Sequence, residues 1–141
     1  MFFIVTLIIG HKGSGKTKKL IQAVNDAIEK SNGNVICVEQ GTQLRTEVNY
    51  RARLVSANEY SIKGYDAFYG FLSGLCAGDN DITDILVDAT LRIGTRDYAE
   101  LATFLKKVEE LSALTSNNFV FTVSADKEEL PAEIFEYFQE A

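Results

Sequence analysis

The chain has 141 residues, 46% hydrophobic and 24% charged, with one proline and ten glycines, which fits a single packed domain over residues 1–141 and excludes collagen-like, low-complexity and stapled mini-protein classes. A formal net charge of −6 argues against a broad basic surface gripping nucleic acid, a partner the charge leaves unsupported. Cys37 and Cys76 stand far apart in apolar surroundings, so no zinc ribbon, C-x-x-C motif or disulfide framework can be built, and both are expected to be buried thiols. The charge is uneven, however. Residues 10–19 carry Lys12, Lys16, Lys18 and Lys19 with no acid, whereas Asp126 to Ala141 carries six acids against Lys127.

In chain order, the run MFFIVTLII (1–9) has its lysines behind it and is too short to span a bilayer. It reads as a buried strand rather than a signal peptide, and a cytoplasmic location is the expectation. Leu20, Ile21, Val24, Ala27 and Ile28 recur at helical spacing, with Asn32-Gly33 expected as a left-handed cap. A strand Val35 to Val38 ends at Glu39, and Leu54-Val55 suggests a short strand after a basic approach of Arg45, Arg51 and Arg53. Tyr65, Phe68, Tyr69, Leu72, Leu75 and Cys76 line one side of a helix, and Ile82 to Val87 forms a strand ending at Asp88. A long amphipathic helix follows with Leu101, Leu105, Val108 and Leu111 inward, then a strand Phe119 to Val123. The last segment reads as a helix entered at Pro131, with Ile134, Phe135 and Phe138 inward. Apolar strands alternating with helices predict a three-layer α/β/α sandwich around a mainly parallel, five-stranded sheet.

Gly10-His11-Lys12-Gly13-Ser14-Gly15-Lys16-Thr17 is a complete G-x-x-x-x-G-K-[ST] set between a predicted strand and a predicted helix. In such a loop the glycines let backbone N–H groups turn inward as an anion nest and the new helix adds the positive end of its dipole. Lys16 would reach the β- and γ-phosphates, and Thr17 would offer a hydroxyl to Mg²⁺. A second carboxylate for the metal is expected at the end of a buried strand, and Ile85-Leu-Val-Asp88 supplies one.

With these two elements the chain resembles the P-loop NTPases over nearly its whole length, and most nearly their RecA-like group. There an extra strand lies between the strand feeding the loop and the strand bearing the metal carboxylate. The resemblance implies ATP and Mg²⁺ as ligands. A water-polarising glutamate does not follow Asp88, where Ala89 and Thr90 stand, but Glu39 matches the place that pilus-retraction ATPases of the twitching-motility type give it. Thr122 or Ser124 resembles the polar sensor of the γ-phosphate, with Ser124 favoured by its place at a strand's carboxyl end. The retraction motors add an amino-terminal domain and a histidine-bearing motif, whereas the single histidine here, His11, lies within the loop.

Arg92 and Arg96 follow Asp88 closely and could stabilise transition-state charge or pair with acids such as Asp97. Arg45, Arg51 and Arg53 could grip a second substrate or partner. Asp79 to Thr90 departs from a calcium loop at its sixth and twelfth positions. Without a guanine-reading N/T-K-x-D motif, the expectation is an ATP-binding protein with slow or partner-activated hydrolysis. A small-molecule or nucleoside kinase and a non-hydrolysing nucleotide-gated module are the alternatives, with a protein partner or homo-oligomer as the source of specificity.

Overall fold

The computed structural model describes residues 5–137 and 139–140. The expected strand positions 1–4 and the inward Phe138 lie outside the described residues. Five strands form the body of one parallel sheet: β1 (Val5–Gly10), β2 (Asn34–Glu39), β3 (Arg53–Ser56), β4 (Ile82–Val87) and β5 (Asn118–Ser124). A sixth, β6 (Gln139–Glu140), adds two residues beside Thr6 and Leu7, giving the order β3-β2-β4-β5-β1-β6. β2 and β4 have neighbours on both sides, and the apolar runs Val35 to Val38 and Ile85 to Val87 are buried accordingly.

The helices are α1 (Lys16–Lys30), α2 (Tyr65–Gly78), α3 (Thr90–Ile93), α4 (Tyr98–Thr115) and α5 (Ile134–Tyr137). α1 covers one sheet face, where Leu20, Val24 and Ile28 meet Ile8, Val35, Cys37 and Leu86. The opposite face is packed by α2 and α4 around Phe68, Phe104, Phe119 and Phe121, whose rings stack or meet edge-on at 4.8–6.3 Å. The three-layer sandwich therefore holds, and both cysteines are buried free thiols. Among the described residues no helix is long and apolar enough to cross a membrane.

Two expectations need correction. The sheet has a sixth strand because the chain after Pro131 makes only one helical turn and then pairs with the otherwise open edge of β1. α1 does not end in a left-handed Asn-Gly cap: Ser31, in extended conformation, donates its N–H to the Ala27 carbonyl, and Gly33 has no positive φ. Gly33 is instead a close-approach residue, since a Cβ there would stand 2.1 Å from the Asp81 carbonyl oxygen, beside the Asn34 N–H bond to that same oxygen at 2.7 Å. The segment after Asp88 forms the short helix α3, entered through Ala89 in the left-handed region at φ 61°.

Candidate nucleotide site

Because the five main strands run parallel, their carboxyl ends emerge at one edge of the sheet. Register fixes the neighbours there: Gly10 stands opposite Ser124, Glu39 opposite Ser56, and the Asp88 N–H donates to the Val38 carbonyl at 2.8 Å. The loop Gly10–Thr17, Glu39, Asp88 and Ser124 thus share one edge, with β5 between the strand feeding the loop and the strand ending at Asp88.

Two glycines bend the loop, Gly13 at φ +85° and Gly15 at φ +88°, conformations that L side chains rarely adopt, and nothing stands within 4 Å of where a Cβ would point at either. At Gly10 the chain approaches the Ser14 side chain closely, so any Cβ there would require Ser14 Oγ to turn away. The Ser14 N–H donates to the His11 carbonyl at 3.2 Å, and the first turn of α1 contains no acid. His11, Lys12, Ser14, Thr17, Lys18 and Lys19 are exposed. Lys16 is different: it is buried, and its ammonium donates to the His11 carbonyl at 2.8 Å. Burial pushes its pKa below the ordinary value, the Asp88 carboxylate opposes that shift, and the Arg92 guanidinium reinforces it. Lys16 therefore lies within the electrostatic reach of both groups.

At Asp88, the Thr122 hydroxyl donates to Oδ1 at 2.7 Å while accepting the Ala89 N–H at 2.9 Å. Since Thr122 has one proton to give and the N–H already occupies an acceptor site, its hydrogen must point at Asp88. That fixes the carboxylate and leaves Oδ2 without a hydrogen bond among the described residues. Ser124 is half-buried, and its carbonyl accepts from Arg96 Nη1 at 3.2 Å. Thr122 is the residue the sequence reading passed over in favour of Ser124. Its hydroxyl sits alone in the apolar run Phe119 to Val123 and is buried, at 1% exposure, by the pairing of β5 with its neighbours.

Glu39 is buried at 4% exposure at the end of β2, and its carboxylate accepts the backbone N–H groups of Gln43 and Leu44 at 2.8 and 3.2 Å. Desolvation raises its pKa above the ordinary value; those two N–H bonds pull against the shift and the nearby Asp88 adds to it. Arg92 is exposed on α3 and forms neither a hydrogen bond nor an ion pair through its guanidinium among the described residues. The Asp97 side chain accepts from the Ala99 and Glu100 N–H groups as the N-cap of α4 and forms no ion pair with Arg96. His11 Nδ1 lies 3.6 Å from Asp126 Oδ1, an exposed contact tying the loop to the segment after β5.

Among the described residues no group of three or more His, Cys, Asp or Glu side chains stands ready to hold a metal on its own. Comparison of the chain with protein-family models and with curated proteins gives no match to either.

Proposed function

We propose that this chain binds ATP with Mg²⁺ at the loop Gly10–Thr17 and hydrolyses it slowly, with a partner or neighbouring subunit accelerating the step. The reading rests chiefly on one observation. A loop with two left-handed glycines opens a 15-residue helix, and its buried lysine feels the Asp88 carboxylate of a separate strand at the same sheet edge. The strand order supports it, since β5 lies between β1 and β4 as in the RecA-like group. The chain's residues also suit the ligand. Open space fronts Gly13 and Gly15 for phosphate oxygens, and Lys16 can exchange a backbone carbonyl for phosphate. Thr17 and Asp88 Oδ2 are oxygen donors suited to Mg²⁺, which favours a few protein ligands plus phosphate and water.

In this reading His11, Lys12, Gly13, Ser14 and Gly15 contribute the backbone cradle and Lys16 neutralises phosphate charge. Arg92 approaches the same field and Thr122 orients Asp88. A second reading, a module that binds nucleotide without hydrolysing it, is favoured by Glu39, whose carboxylate is engaged by the Gln43 and Leu44 N–H groups rather than free to polarise water.

Calorimetric titration with ATP in the presence and absence of Mg²⁺ tests the proposal. One-to-one, Mg²⁺-dependent binding is expected in the wild type, weakened at least ~100-fold in Lys16→Ala, as befits loss of a charge-assisted phosphate contact. Steady-state turnover then separates the two readings. A wild type that binds no nucleoside triphosphate contradicts both.

A further inference from the structure

A cavity of about 470 Å³ opens beside α2 on the sheet face away from α1. Its walls are apolar: Val35, Ile36, Val55 and Ile82 from the sheet, Phe71 and Leu75 from α2. Arg51, Arg53 and the phenol of Tyr60 also line it. Neither guanidinium has a hydrogen bond or ion pair among the described residues, in contrast to Arg45, which is bridged to Glu59. Among the described residues the acid on the wall is Asp79, which accepts from Asn34 Nδ2 and from the Asp81 N–H, each at 2.9 Å, neutral donors that leave its charge in place. Two guanidiniums without an ion pair against one carboxylate leave this apolar cavity with a net positive lining, within a molecule whose net charge is −6.

We infer that this cavity is a second ligand site, for a small organic anion with an apolar, preferably aromatic body, and that it is separate from the phosphate loop. Its volume lies in the range of about 300–1,000 Å³ that small-molecule sites occupy. A protein partner would need about 800 Å² of buried surface on each side. The cavity runs from Asn34 and Ile82, which begin β2 and β4, up to Val55, which stands opposite Val38. Its separation from the loop is lateral: β2 and β1 are three strands apart in the sheet, about 14 Å at ~4.8 Å per strand.

The test uses 8-anilinonaphthalene-1-sulfonate, an aromatic anion whose fluorescence rises on leaving water, with uncharged N-phenyl-1-naphthylamine beside it. The chain has no tryptophan, so Phe71→Trp places a lone energy donor on the cavity wall. Saturable one-to-one binding of the sulfonate with energy transfer from that tryptophan is expected. Affinity is expected to fall about tenfold or more in the Arg51→Gln, Arg53→Gln double variant, and the uncharged probe is expected to bind more weakly than the sulfonate. ATP with Mg²⁺ is expected to displace none of the probe, so this result stands whether or not the loop binds nucleotide. Non-saturable binding, affinity unchanged in the double variant, or displacement by ATP overturns the proposal. So does a wild-type dimer that the double variant dissolves, which would mean that a second copy fills the cavity.

Discussion

Thr122 carries more of the site's geometry than its single hydroxyl suggests, because it joins β5 to both Asp88 and the left-handed Ala89. Replacing it with valine keeps the volume but strips the partner from a half-buried N–H and from a carboxylate oxygen. The expected cost is about 1–3 kcal/mol in urea unfolding, together with weaker Mg²⁺ dependence of nucleotide binding; Thr122→Ser is expected to restore most of both. An unchanged Thr122→Val would mean that the hydroxyl orients nothing.

Glu39 offers a second test at this scale. Burial raises its folded pKa above the ordinary 4.5, so just above that pH the folded protein holds more protons than the unfolded chain. Stability attributable to this group therefore falls as pH rises from about 4.5 through the raised value, and stays lowered beyond it. Glu39→Gln removes the titration while its amide oxygen can still accept the Gln43 N–H. Its unfolding free energy relative to wild type is thus expected to climb across that window, as followed by denaturant titrations between pH 4 and 8. A flat difference would mean that the carboxylate is not desolvated by folding.

Among the elements, those with an unambiguous period were legible in the sequence. Ile82 to Val87 and the helix carrying Leu101 to Leu111 lie where their patterns placed them, because the short apolar run Ile85 to Val87 and a one-sided helical stripe each have one low-energy way to be buried. The turn into β2 and the chain's end were less legible, since they depend on neighbours distant in sequence. Gly33 illustrates this: Asn-Gly after a helix reads locally as a left-handed cap, yet the residue is glycine because the Asp81 carbonyl approaches it. A left-handed cap tolerates Asn, whereas a close approach rejects any Cβ. Both Gly33→Ala and Gly33→Asn are therefore expected to destabilise the fold by about 1–3 kcal/mol in thermal or urea unfolding. A neutral Gly33→Asn would restore the capping explanation. Likewise α5 stops after one turn because the free edge of β1, invisible in local sequence, captures β6.

Across the whole molecule, the parallel order β3-β2-β4-β5-β1-β6 carries the loop, Glu39, Asp88 and Ser124 to one edge, while the apolar cavity bordered by Arg51 and Arg53 opens near the amino-terminal ends of β2 and β4. The loop and Asp88 stand out in the sequence because the chemistry proposed for them demands fixed residue types at fixed spacing, and the structure brings them to one sheet edge. The Thr122 clamp and the engagement of Glu39 do not stand out in the sequence, because both depend on which strands become neighbours. The basic decapeptide 10–19 keeps its lysines exposed apart from Lys16, so the positive end of the chain's charge asymmetry centres on that loop. The most direct measurement is a crystal structure with a non-hydrolysable ATP analogue and Mg²⁺. The account predicts the β- and γ-phosphates inside the curve of Gly13 to Thr17, the Lys16 ammonium moved from the His11 carbonyl onto phosphate, and Asp88 Oδ2 facing the metal. An analogue bound elsewhere, or an empty loop with Lys16 still on the His11 carbonyl at saturating ligand, would contradict it.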